Sequence, residues 1–144
     1  MQTIKITPDS RLSIIDIDLN NYKDIQEAIG GHFETVKTQR LFDYRHSPLM
    51  LLVDEEGLLK DLPLNLAGCY FYGTDRHGCS IVGPILFAVP DGEYLRAPDD
   101  VQGLADQLMK DFGLIRDDEY IRAPEDVQEL KTQLTEDFGL IWEE

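Results

Sequence analysis

Carboxylates and thiols are the side chains of this sequence with the clearest potential for chemistry. Neighbouring acids can bind magnesium or exchange protons with a substrate, and they occur as Asp16/Asp18, Asp99/Asp100, Asp117/Asp118 and Glu125/Asp126. Most of these pairs lie where a helix is predicted to begin, and the positive end of a helix dipole accounts for acids there. We therefore assign no catalytic residue to them.

Two cysteines and a histidine raise the question of a metal site. Cys69, His77 and Cys79 lie within eleven residues, and two thiolates with one imidazole could fill three positions of a tetrahedral zinc site. The Cys-x7-His-x-Cys spacing is not a familiar zinc pattern, and Cys69 is better explained as a small buried apolar side chain. The sequence therefore predicts no metal and no cofactor.

Motifs of common enzyme classes are missing from the sequence. It contains no Gly-rich phosphate loop, no His-Glu-x-x-His and no Gly-x-Ser-x-Gly. A pocket between a sheet and a helix could still bind a small ligand, and its natural lining is Tyr70, Tyr72, Arg76 and His77. The stretch 75–78 is typical of an exposed turn, which can be a binding loop or a plain connection.

The excess of acidic side chains restricts the classes of partner. The 144 residues carry 28 acids and 13 bases, a formal net charge of −15, whereas gripping nucleic-acid phosphates requires clustered Lys and Arg. Residues 1–90 hold twelve acids and eight bases, and residues 91–144 hold sixteen acids and five bases. Direct nucleic-acid binding is therefore not expected, and most of the excess charge lies in the C-terminal third.

Length, hydropathy and cysteine content indicate a cytoplasmic protein. A chain of 144 residues is typical of one domain. No run of about eighteen apolar residues is present, so no membrane span is expected, and residues 1–5 lack the features of a secretory signal. Two cysteines are too few to hold together a small secreted fold, which favours a reducing compartment.

Residues 1–90 are predicted to form an α+β domain, with one mixed or antiparallel sheet and a short helix on one face. Strands are predicted where apolar and β-branched residues alternate or run together: 3–7, 12–19, 32–38, 49–53, 69–72, 80–82 and 84–89. Asn20-Asn21 supplies the cap of a short helix over 22–29, and Gly30-Gly31 ends it.

The C-terminal third is a duplication. Residues 91–116 and 117–142 align without gaps at an offset of 26, and 17 of the 26 positions are identical, which indicates a repeat. Each copy predicts an amphipathic helix with Pro98 or Pro124 in its first turn and Gly113 or Gly139 at its end. We divide the chain into a 1–116 core, which includes the first of these helices, and the second copy at 117–144.

The two predicted helices have matching apolar stripes with different flanks. The stripes are Val101, Leu104, Leu108 and Phe112 in the first copy and Val127, Leu130, Leu134 and Phe138 in the second. Ala105 and Met109 widen the first stripe, whereas Lys131 and Thr135 narrow the second. We expect the first helix to dock on the sheet. The second can pack on its sibling, on the same sheet or on a partner chain, which leaves a homodimer through the C-terminal helices open.

Four short segments resemble a known family by their order. They are Ile29-Gly30-Gly31-His32-Phe33-Glu34, Leu52-Val53-Asp54-Glu55-Glu56-Gly57, Leu62-Pro63-Leu64-Asn65 and Ile81-Val82-Gly83-Pro84-Ile85-Leu86-Phe87. Over roughly residues 1–95 the chain resembles the uncharacterised bacterial and phage family called domain of unknown function 3846. The resemblance implies a small α+β domain and a phage or mobile-element setting, and it supplies no catalytic residue.

Two functional hypotheses follow, and an enzyme of another type has the least support. The first is a non-enzymatic acidic protein whose carboxylates imitate phosphates on a basic partner, such as a host nuclease or another nucleic-acid-handling protein. Its candidate contact residues are Asp99, Asp100, Glu125, Asp126, Glu129 and Glu136. The alternative is a small-ligand or nucleotide-binding protein that sequesters its ligand through the Tyr70, Tyr72, Arg76 and His77 set.

Overall fold

The computed structural model describes residues 1–117, with a mixed sheet of seven strands at the centre. Its elements are β1 (Gln2–Thr7), β2 (Arg11–Asp16), α1 (Tyr22–Ile29), β3 (Phe33–Val36), α2 (Gln39–Arg45), β4 (Met50–Asp54), α3 (Leu66–Tyr72), α4 (Thr74–His77), β5 (Ile85–Asp91), β6 (Tyr94–Arg96), α5 (Val101–Phe112) and β7 (Ile115–Arg116). The strand order is β3-β4-β5-β1-β2-β7, and β6 pairs with β5 off that path. No helix in this part of the chain has the length and apolar character needed to cross a membrane.

The first two strands lie in the interior of the sheet. β1 and β2 form an antiparallel hairpin, whose turn contains Ser10 at a φ of 64°. β1 also pairs with β5, with Lys5 opposite Leu86. β7 then pairs in parallel with β2, with Ile115 opposite Arg11. The segment that begins with α5 therefore ends by adding a strand beside β2.

Alternating side chains along β4 and β5 make the sheet apolar on both faces. One cluster contains Leu51, Val53, Ile85, Phe87 and Val89, and the other contains Met50, Leu52, Leu86 and Ala88. A strand covered on both faces has a continuous apolar sequence. The apolar run 49–53 was correctly read in this way, because β4 is buried throughout.

Helices cover the two faces unequally. α2, α3 and α5 pack on the face that we call the α5 face, where Leu104, Ala105 and Leu108 are at most 1% exposed. α1 packs on the opposite face, the α1 face, through Ile25 and Ile29. The α5 face therefore holds the larger core.

The α+β class fits, but the predicted set of helices is wrong. The sequence predicts a short helix on one face followed by two duplicated C-terminal helices. Residues 1–117 instead contain five helices, of which α1 packs on one face and α2, α3 and α5 pack on the other. No duplicated pair is present in this part of the chain, where α5 is the last helix and leads into β7. The first copy thus contributes two strands, β6 and β7, as well as a helix. The second predicted helix lies outside the described residues.

The strand predicted at 69–72 is also wrong, because these residues belong to α3. Asn65 begins this helix by accepting a hydrogen bond from the Gly68 N–H at 3.1 Å, and Gly73, with a φ of 85°, ends it. Aromatic residues favour strands, but the two caps fix a helix here. The strand predicted at 80–82 is reduced to a single bridge between Leu64 and Val82.

Candidate functional site

Two candidate partner-binding acids, Asp99 and Asp100, lie between β6 and α5. Asp100 caps α5 by accepting a hydrogen bond from the Gly103 N–H at 3.1 Å, and Arg45 Nη2 lies 3.8 Å from its carboxylate. Asp99 Oδ1 lies 3.0 Å from Arg96 Nη1. Their side chains are 89% (Asp99) and 68% (Asp100) exposed. Both acids therefore have roles inside the molecule and still face solvent.

Two further acids of the first copy also have internal partners. Tyr44 Oη donates to Asp111 Oδ2 at 2.7 Å, which ties α2 to α5. Burial of the phenol, together with this bond, raises the pKa of Tyr44 above its ordinary value. Gln102 Nε2 donates to Asp106 at 3.1 Å within α5. Asp111 thus helps to hold the first copy on the fold, whereas the contact of Asp106 stays within α5.

The other four candidate acids, Glu125, Asp126, Glu129 and Glu136, lie outside the described residues. In the gapless repeat they correspond to Asp99, Asp100, Gly103 and Lys110. Glu129 thus replaces a neutral residue of the first copy, and Glu136 replaces a basic one. The second copy is accordingly the more acidic of the two at these positions.

The alternative ligand set is divided between two surroundings. The Tyr70 ring contacts the Phe112 ring at a centroid separation of 5.5 Å. The Arg40 guanidinium lies 5.0 Å from the centroid of the Tyr70 ring. The Tyr72 ring instead contacts His77 at 5.2 Å. Arg76 is exposed on α4. The structure therefore brings Tyr72 and His77 together, and it places Tyr70 in an aromatic cluster on the α5 face.

An ion pair next to these residues anchors α4. Arg40 donates two hydrogen bonds to the Asp75 carboxylate, at 3.0 and 3.1 Å, and a third to the Tyr70 carbonyl at 2.9 Å. The bond from Arg40 holds the pKa of Asp75 below its ordinary value. Arg40 is engaged in this way by its own fold, so Asp75 and Tyr70 are its partners rather than a ligand.

A groove of about 420 Å³ beside α1 was missed by the sequence analysis. Its lining residues are Lys5, Ile15, Asp16, Ile17, Asp24, Glu27 and Ala28. β1 and β2 supply one side and α1 supplies the other, so residues distant in sequence meet only in the folded chain. No local motif could have revealed it. The mixed charges of the lining suit a small polar ligand.

The thiols show no metal-site geometry in residues 1–117. No group of three or more His, Cys, Asp or Glu side chains in this part is arranged to hold a metal ion. Cys69 Sγ lies 3.4 Å from the Ile81 carbonyl oxygen, and Cys79 is exposed. The absence of a metal and of a cofactor stays a prediction.

Comparison with known proteins identifies a family. No curated protein and no solved structure matches the chain. The family model described as domain of unknown function (DUF3846) matches residues 1–113. The match extends beyond the four segments that suggested it and includes all of α5, whereas the second copy begins after it. The chain therefore belongs to the DUF3846 family.

Proposed function

We propose that this protein is a non-enzymatic acidic binding protein of a phage or mobile element, which engages a basic protein partner. The observation that supports this proposal is the solvent exposure of the acid excess. Residues 1–117 contain nineteen acids and eleven bases, a net charge of −8. Sixteen of these acids are exposed, the exceptions being Asp24, Asp54 and Asp117. The folded part thus presents its charge to solvent.

The partner class follows from charge complementarity. Exposed carboxylates on a rigid fold can occupy the positions that phosphates take on a nucleic-acid-handling protein, such as a defence nuclease. Opposite charges also accelerate the encounter of two proteins. Phosphate mimicry needs no catalytic residue, in keeping with the missing enzyme motifs.

Capture from a nuclease-treated bacterial lysate tests the proposal. The immobilised full chain should retain nucleic-acid-binding proteins at about 50 mM salt and release them at about 500 mM, because salt screens charges that face solvent. Duplex DNA added at low salt should displace the same proteins. Capture that survives high salt and is indifferent to duplex DNA would contradict phosphate mimicry.

A small-ligand or nucleotide-binding role is the second candidate, and the groove beside α1 favours it. Among residues 1–117, Lys5 is the one basic residue that lines the groove, and it can pair with a phosphate or a carboxylate. A panel of nucleotides should then raise the melting temperature, and Lys5→Met should abolish the rise. Lys23→Met is the matched control, because Lys23 is exposed on α1 and does not line the groove. If Lys5→Met keeps the full shift, the groove is not the site.

A further inference from the structure

The two cysteines of the chain meet the same stretch of backbone. Cys69 is half-buried on α3, and its Sγ atom accepts a hydrogen bond from the Ile81 N–H and donates one to the Ile81 carbonyl oxygen, each at 3.4 Å. Cys79 is exposed and precedes Ile81 by two residues. Two residues of chain span at most about 7 Å. The Cys69 thiol therefore lies against the short segment that carries the second thiol.

The backbone next to Cys79 has room to move. Gly78 adopts a φ of 79°, and a Cβ atom placed there would meet no atom within 4 Å. α4, which precedes Gly78, is a single helical turn whose last three residues are exposed. A disulfide needs Cα atoms about 4.4–6.8 Å apart. A shift confined to residues 78–80 can adjust that separation while α3 stays packed on the sheet.

We propose that Cys69 and Cys79 are a redox-sensitive pair, which a low-molecular-weight disulfide such as oxidised glutathione converts into a reversible intramolecular disulfide. Cys79 reacts first, because access to the thiolate governs exchange and Cys69 is half-buried. Disulfides that form transiently in a reducing compartment are typical of redox sensing. The reaction of this pair does not depend on the partner binding proposed above.

The exchange takes place in two balanced steps. In the first, the Cys79 thiolate attacks one sulfur of oxidised glutathione, forms a mixed disulfide and releases one glutathione, which takes up the proton that Cys79 gave up. In the second, the Cys69 thiolate attacks the Cys79 sulfur, forms the protein disulfide and releases the second glutathione with the Cys69 proton. Two protein thiols are oxidised, and one oxidised glutathione is reduced. The Ile81 N–H, which donates to Cys69 Sγ, can stabilise the attacking thiolate.

The disulfide would close a loop over residues 69–79, which contains all of α4. In the reduced chain α4 is held by side-chain contacts, such as the ion pair of Arg40 with Asp75 and the ring contact of Tyr72 with His77. A covalent link across the same segment removes conformations in which α4 leaves α3. Oxidation therefore fixes the exposed surface of α4, and reduction releases it.

Incubation of the full chain with oxidised glutathione at neutral pH, followed by intact mass and a count of free thiols, tests the proposal. The parent should lose two hydrogens, retain no glutathione and have no free thiol. Cys69→Ser should stop at the mixed disulfide and carry one glutathione on the exposed Cys79. Cys79→Ser, the matched single-thiol control, should react at least about tenfold more slowly, because its remaining thiol is half-buried.

Three outcomes would overturn the proposal. The first is a parent chain that keeps glutathione on Cys79 while Cys69 stays free. The second is a disulfide-linked dimer in place of the intramolecular bond. The third is an equal rate for the two single-thiol variants, which would contradict the order of reaction. A dithiol reductant should restore both thiols of the parent, whereas an irreversible product would indicate higher oxidation and not a switch.

A peptide map of the oxidised parent locates the bond without any substitution. Trypsin cuts after Lys and Arg, so Cys69 lies in the peptide 61–76 and Cys79 lies in the peptide 77–96. Digestion without reductant should give these two peptides joined as one species, and reductant should separate them. Recovery of both as free peptides from oxidised protein would contradict the pairing, whatever the two variants show.

Discussion

On the α5 face three helices pack against the sheet, whereas on the α1 face one eight-residue helix leaves an open groove beside β1 and β2. The α5 face holds an aromatic cluster, with Phe71 in ring contact with Tyr44, Phe87 and Phe112. The α1 face has mostly aliphatic residues, with Phe33 packed against them, next to charged ones. The comparison indicates that one face holds the fold together while the other keeps polar surface available.

The largest expected effect is on the α5 face, at Phe71. This ring is completely buried and contacts residues of α2, β5 and α5, so Phe71→Ala should lower the free energy of unfolding by about 3–5 kcal/mol. Urea unfolding followed by circular dichroism measures the loss. A loss below about 1 kcal/mol would mean that the aromatic cluster does not hold the helices together.

Leu108→Ala should come next, with a loss of about 2–5 kcal/mol. Leu108 is completely buried at the centre of the α5 stripe, and its truncation leaves a cavity between the helix and the sheet. The same urea titration applies. A variant as stable as the parent would show that the first copy is not part of the cooperative core.

The matched truncation on the α1 face, Ile25→Ala, should cost about 2 kcal/mol, the lower end of the same range. Ile25 is 2% exposed, but α1 borders the groove and can shift to close part of the cavity. If Ile25→Ala is more damaging than Leu108→Ala, the comparison between the faces is reversed.

A smaller loss is expected for Tyr44→Phe, which keeps the ring and removes only its hydroxyl. The hydroxyl donates to Asp111 at 2.7 Å, and such a bond contributes about 1 kcal/mol to stability. Thermal melts of Tyr44→Phe, Asp111→Asn and the double variant form a cycle. Fully additive losses would show that the two side chains do not interact.

The smallest effect concerns the pH response of Asp75. Because Arg40 lowers the pKa of Asp75 in the folded chain, this pair stabilises the fold at neutral pH, and that contribution disappears as the pH falls through the lowered pKa. NMR titration of the Asp75 carboxyl in Arg40→Gln should show its pKa rising toward the ordinary value. An unchanged midpoint would mean that Arg40 is not its partner in solution.

Much of the sheet could be predicted from local sequence. The alternating strand at 3–7 and the apolar run at 49–53 correspond to β1 and β4, and Asn21 caps α1 with its side chain as the sequence suggests. The sequence analysis missed α2 because Leu41 is the one buried residue of this helix, so its sequence shows almost no helical spacing of apolar residues. β7 was missed because two residues are too few to show a strand pattern, and its pairing depends on β2.

Less of the candidate site could be predicted. The helix-start role assigned to Asp99 and Asp100 agrees with the cap that Asp100 forms. The contact of Asp100 with Arg45 could not be read from spacing, because α2 meets α5 only through tertiary packing. The pair of Asp99 with Arg96, three residues apart, is local. The groove depends in the same way on β1, β2 and α1 lying together, so its residues have no sequence signature of their own.

The distance along the chain between β2 and β7 has a consequence for synthesis. Ser13 donates to Asp117, 104 residues later, and β1 meets β5 only after Leu86 has been made. On the ribosome the β1–β2 hairpin is therefore made well before the strands that pair with it on either side. Contacts between such distant segments slow folding, and apolar surface exposed meanwhile favours aggregation. We expect nascent chains halted before α5 to require chaperones, and the completed chain to release them once Leu104 and Leu108 reach the sheet.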